Sequence, residues 1–129
     1  MKDSTQRTMA LWAGILGFLG VVAGTFGAHG LPKDMDPYLK GVFDTGVLYH
    51  IVHALALVGC AALFRAGWRS KLCLLGFGVG VLLFSGSLYA LALTGEKWLG
   101  MIAPFGGLAF LAGWVALILE ATRDADDGV

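Results

Sequence analysis

Charge is what this chain has least of. No Asp, Glu, Lys or Arg occurs in Thr8–Ala28, Thr45–Phe64, Leu72–Gly95 or Trp98–Leu119. Only 14% of the residues are charged, where soluble domains carry about 25%. That scarcity excludes an ordinary soluble domain. With a formal net charge of zero, no basic surface suggests nucleic acid as a partner. Enzyme signatures are missing as well. There is no Gly-x-Ser-x-Gly elbow, no His-Glu-x-x-His and no P-loop. No carboxylate falls inside an uncharged stretch, although proton-coupled transporters commonly use one at membrane depth. The expectation is a protein that is not an enzyme and has no resident cofactor or metal.

What is present is apolar length. Each stretch holds about 20 residues or more, which at roughly 1.5 Å per residue reaches about 30 Å, the hydrocarbon thickness of a bilayer. Hydrophobic residues make up 57% of the chain. Backbone groups in lipid must be satisfied internally, so these stretches are expected to be helices. The predicted fold is all-α integral membrane: one domain over residues 1–129, a four-transmembrane-helix bundle. Its spans are placed at 8–28, 45–64, 72–95 and 98–119, the second with an interfacial extension from residue 37. The first run exceeds a signal-peptide core and lacks an Ala-x-Ala site, so it reads as a membrane helix.

Basic residues set the orientation. Lys2, Arg7, Arg65, Arg69, Lys71 and Arg123 fall on one side, against Lys33, Lys40 and Lys97 on the other. The positive-inside rule then predicts both termini in the cytoplasm, N-in/C-in. Cys60 and Cys73 lie toward that reducing side, so they read as packing residues and no disulfide is expected.

Local signals refine the spans. Gly20 with Gly24, and Gly76 with Gly80, form small-xxx-small pairs that let helices approach closely; they are read as packing within the molecule. Asp36-Pro37 is an N-cap followed by proline, so the second helix should begin at Pro37. Lys40 and Asp44, four apart, can pair at the headgroup level. Pro104 leaves two readings: a kink in the fourth helix, or an irregular entry with the helix starting there. The polar tail beyond it is expected to fray.

Polar side chains gather at one depth. Thr45, Tyr49, His50 and His53 occupy the outer half of the second span, and Ser85, Ser87, Tyr89 and Thr94 the same layer of the third. His29 closes the first span there, and the Pro104 break opens the fourth. The inner half offers only the cysteines. Thr45, Tyr49 and His53 share a stripe at spacing four, with Asp44 pointing nearly opposite. Polar groups at membrane depth face the bundle interior and are candidate functional groups. They can instead bond helix to helix, for example His53 to Ser85 or Tyr89, and hold the bundle in register. The residues leave three readings: structural network, outward-facing pocket or pore for a small amphiphile, lipid headgroup or ion, and a metal or haem site. The last is weakest, because no Cys, Asp or Glu lies at matching depth on a neighbouring helix.

Four co-linear motifs carry a resemblance: Gly24–Leu31, Phe43–Leu57, Leu83–Gly95 and Pro104–Trp114. In these the chain resembles the YgdD/YwdK-like family of small bacterial inner-membrane proteins, catalogued as a domain of unknown function. The resemblance implies a multi-pass protein of the bacterial cytoplasmic membrane and supplies no catalytic residues. His50 stands where the resemblance leads one to expect Gln, which weighs against a metal site built on it. The combined expectation is a structural or assembly protein whose partners are membrane lipids and a homo-oligomer or another membrane protein.

Overall fold

The computed structural model describes residues 2–68 and 70–127, with side chains over 4–68 and 70–123. Arg69, one of the residues used to orient the chain, lies outside them. The elements are α1 (Lys2–His29), α2 (Pro37–Arg65), α3 (Leu72–Gly80), α4 (Gly86–Thr94) and α5 (Ala103–Asp127). A π turn, Val81–Ser85, joins α3 to α4 into one continuous span, and a 3-10 turn, Lys97–Met101, precedes α5. Four segments are long and apolar enough to cross a membrane: Ser4–His29, Pro37–Arg65, Leu72–Thr94 and Lys97–Arg123. No strand occurs among the described residues. The architecture is an all-α membrane fold of four spans.

Each boundary has a local cause. Asp36 caps α2, its Oδ1 accepting from the Tyr38 N–H at 2.9 Å, and Pro37 fills the first turn where its missing N–H is no loss. Gly95 ends α4 at φ +75°, and its N–H bonds the Leu91 carbonyl at 2.7 Å. The left-handed turn needs a glycine there. Of the two readings for Pro104, the structure has the irregular entry: the 3-10 turn ends at Met101, and Pro104 lies in the first turn of α5. The expected fraying of the tail falls mostly on residues beyond 123, whose side chains lie outside those described. The helix continues to Asp127, and Glu120 is buried and paired with Arg123 one turn on.

Packing divides the spans into central and outer. In their apolar windows α2 and the third span are each 39% buried, against 22% for the first span and 28% for the fourth. The first span therefore buries only a narrow stripe, Met9, Ala13, Leu16, Gly20 and Gly27. This stripe lies on α2: a Cβ at Gly20 would come 3.0 Å from Ile51 Cγ1, and one at Gly27 2.8 Å from Phe43 Cε1. The α5 stripe, Gly106, Phe110, Gly113 and Ala116, lies on α3 and the π turn. Gly76 meets the backbone of Gly113 and Ala109 directly, and Gly80 is covered by the Phe110 ring. Both small-residue pairs thus face neighbouring helices of the same chain. Between them sits one apolar cluster that includes Met9, Leu57, Phe64, Phe77 and Phe110.

Candidate functional site

The polar layer separates into two buried networks and a set of local bonds. In the first network His50 Nδ1 lies 2.9 Å from Tyr89 Oη, joining α2 to α4. Gly46 makes room for this, since a Cβ there would press on the Tyr89 ring at 2.9 Å. Ser85, fully buried in the π turn, donates from Oγ to the Gly46 carbonyl at 2.7 Å. His50 Nε2 is buried without a hydrogen-bond partner of good geometry; it faces the Leu16 carbonyl across the gap that Gly20 leaves in α1.

The second network centres on His53, only 3% exposed. Its Nδ1 lies 2.7 Å from the Tyr49 carbonyl, and Trp114 Nε1–H donates to its Nε2 at 3.1 Å. An indole N–H can only donate, so Nε2 is the acceptor and the proton resides on Nδ1. The imidazole is neutral with both nitrogens engaged. Phe110 stacks on it at a 3.6 Å centroid distance and 11°, and Phe77 meets it edge-on at 5.3 Å. Nothing remains on His53 to ligate a metal. Among the described residues no three His, Cys, Asp or Glu side chains converge on a metal-sized site.

The other sequence candidates do not join these networks. Thr45 bonds the Gly41 carbonyl at 2.9 Å, Thr94 that of Ala90 at 2.6 Å and Ser87 that of Phe84 at 2.9 Å. All three satisfy themselves on their own helix. His29 is exposed at the end of α1. Pro104 lines an open groove of about 420 Å³ with Tyr49, His53, Phe84 and Trp114. The proposed pairing of His53 with Ser85 or Tyr89 is corrected. Antiparallel register sets Gly46 opposite Ser85 and Tyr89, which leaves His53 opposite Phe77.

Sequence reasoning also missed Trp114 and Phe110. No role was read for either, yet the Trp114 indole reaches His53. The available signal was spacing: Phe110 and Trp114 are four apart and share a face with Pro104 and Gly107. The opposite end is likewise richer than two cysteines. There Cys60 and Cys73 are buried, Cys73 Sγ lies 3.9 Å from the Gly113 carbonyl, and the Glu120 side chain is buried as well.

Fold and site together define a multi-pass membrane protein whose buried histidines are hydrogen-bonded from helix to helix. Comparison then supplies the family. The model of the family described as "Protein of unknown function (DUF423)" matches residues 23–107, and the chain belongs to that family. It is 39% identical over 131 residues to the UPF0382 inner membrane protein YgdD of Escherichia coli strain K12, covering 97% of each chain. To the UPF0382 membrane protein YwdK of Bacillus subtilis it is 39% identical over 129 residues, 92% of this chain and 98% of the relative. A UPF0382 membrane protein of Haemophilus influenzae is 38% identical over 118 residues, 91% of this chain and 92% of the relative. No solved structure matches the chain. These relatives are named membrane proteins, and neither the family description nor those names give an activity.

Proposed function

We propose that this chain is a non-enzymatic structural protein of the bacterial inner membrane, with both termini cytoplasmic, that works through assembly with a second copy or another membrane protein. The observation that carries this reading is the closed state of His53. Its two nitrogens are bonded to Tyr49 and Trp114 and its face is covered by Phe110. A group so committed holds helices in register and is not poised for ligand or proton exchange. Burial of Ser85 against Gly46 and of His50 against Tyr89 supports the same role for the rest of the layer.

The test is solvent access at that position together with stability. In His53→Ala the melting temperature in detergent is expected to fall. A His53→Cys variant, retaining the other thiols as internal controls, is expected to resist a membrane-impermeant maleimide in intact cells. Rapid labelling there would reveal a water-filled pocket and overturn the structural reading, as would an unchanged melting temperature.

A further inference from the structure

Two cavities are each lined by residues of both α2 and the fourth span. One, about 620 Å³, opens at the end of the bundle and is lined by Asp36, Tyr38, Leu91, Lys97 and Gly100 among others. The other is the groove of about 420 Å³ whose walls are Tyr49, His53, Pro104, Gly107, Leu111 and Trp114. Positions Leu39, Tyr49 and His53 follow one side of α2. Lys97, Gly100, Pro104, Gly107, Leu111 and Trp114 recur at three or four residues along the facing side of the fourth span.

We propose that the seam between α2 and the fourth span holds one phospholipid with a phosphoethanolamine headgroup, its ammonium at Asp36, its phosphate at Lys97 and one acyl chain in the groove that ends at Trp114. Charge is the first argument. The cavity at headgroup level presents one carboxylate and one ammonium, the complement of a headgroup that carries one of each. Asp36 uses Oδ1 to cap α2, and Lys97 makes no ion pair with a described residue. Length is no obstacle, since from Lys97 to Trp114 the 3-10 turn and α5 cover at most roughly 28 Å along their axes, enough to line one leaflet of ~20–22 Å with its headgroups. Contrast is the second. The groove between α1 and α3, about 340 Å³, is lined by residues such as Trp12, Leu16, Leu75 and Val79, with no charged side chain in its lining. It can take an acyl chain but cannot choose a headgroup. The inference goes beyond the structural role and stands independently of it.

The full chain would be reconstituted into vesicles of equal parts dioleoyl phosphatidylethanolamine and dioleoyl phosphatidylglycerol. It would then be extracted in mild detergent and weighed by native mass spectrometry. One retained lipid per chain is expected, with the ethanolamine lipid outnumbering the glycerol lipid roughly two-fold to five-fold, the scale of the one exposed charge pair, at Asp36, that only the ethanolamine lipid can make. Asp36→Asn keeps the helix cap but removes the charge. It should return retention to the input ratio, whereas Lys97→Gln, whose partner phosphate both lipids carry, should lower total retention. Gly107→Leu places a side chain where a Cβ would meet nothing within 4 Å, so it should fill the groove and release the lipid while the helix content stays unchanged. An input ratio in the unaltered chain overturns the proposal, as does enrichment of the glycerol lipid or a two-chain mass without lipid. Persistence of the ethanolamine preference in Asp36→Asn, or undiminished retention in Lys97→Gln or Gly107→Leu, also overturns it.

Discussion

Tryptophan can donate a hydrogen bond and cannot accept one, so the contact between Trp114 and His53 fixes the histidine's proton on the far nitrogen. That makes the two residues a unit, and the unit can be tested. Trp114→Phe keeps the ring but leaves His53 Nε2 buried without a donor. Interhelical bonds in membranes average about 0.6 kcal/mol, and an abandoned buried acceptor adds to that. A loss of about 1 kcal/mol is expected for Trp114→Phe, with a double-mutant cycle against His53→Ala showing clear non-additivity. Additive effects would mean that the contact carries no energy. His50 is the opposite case, because its Nε2 has no well-formed bond to lose. Gln at position 50 can meet Tyr89 with one end of its amide and offer the other to Leu16. His50→Gln is therefore expected to stay within about 0.5 kcal/mol of the parent, whereas His50→Leu should cost about 1 kcal/mol by leaving Tyr89 Oη without its partner. Equal losses for Gln and Leu would refute that account.

Among elements, the α3–α5 pair depends most on backbone proximity. A Cβ at Gly76 would lie 2.7 Å from the Gly113 nitrogen and 2.8 Å from the Ala109 oxygen, and neither can step aside as a side chain can. Gly76→Ala should therefore separate the helices and cost about 1–3 kcal/mol or more. Gly14→Ala on α1 meets nothing within 4 Å and should be neutral or gain up to about 1 kcal/mol from helix propensity. Unfolding in mixed micelles with rising denaturing detergent would rank the two, and similar midpoints would show that the close approach is unimportant. The same elements show what could be read in advance. Number and length of spans follow from uncharged runs, because lipid penalises charge and exposed backbone regardless of neighbours. The small-residue pairs and the Thr45–Tyr49–His53 stripe follow from helical spacing. Register between helices does not, since several offsets satisfy the same pattern. Gly46 opposite Ser85, and therefore Trp114 opposite His53, depends on packing at Gly76, Gly80 and Gly106 and on the π turn at Val81–Ser85, none of which a single helix encodes.

For the molecule as a whole, orientation decides what each end can meet. Two spans must return the chain to the side where it started, so the Arg65–Lys71 link shares a side with both termini, and the segment from Gly30 to Asp36 shares one with Glu96 and Lys97. Six basic residues on the first side against three on the second favour a cytoplasmic location for the termini, because Lys and Arg near span ends resist translocation while acids contribute little. The acidic tail, Asp124 to Asp127, therefore does not offset Arg123. On this argument alkaline phosphatase fused after Lys33 should be active, and the same enzyme fused after Val129 inactive, in an Escherichia coli host. Activity at the carboxyl terminus with none at Lys33 would invert the topology. Charge should also control the result. Replacing Arg65, Arg69 and Lys71 together by Gln removes the basic link and leaves two basic residues at the amino end and one at the carboxyl end. The bias then falls to three against three, and a mixed population of the two orientations is expected. A chain that keeps one orientation after that change would have its topology set by something other than the basic residues, with the insertion order of the spans as the next variable to alter.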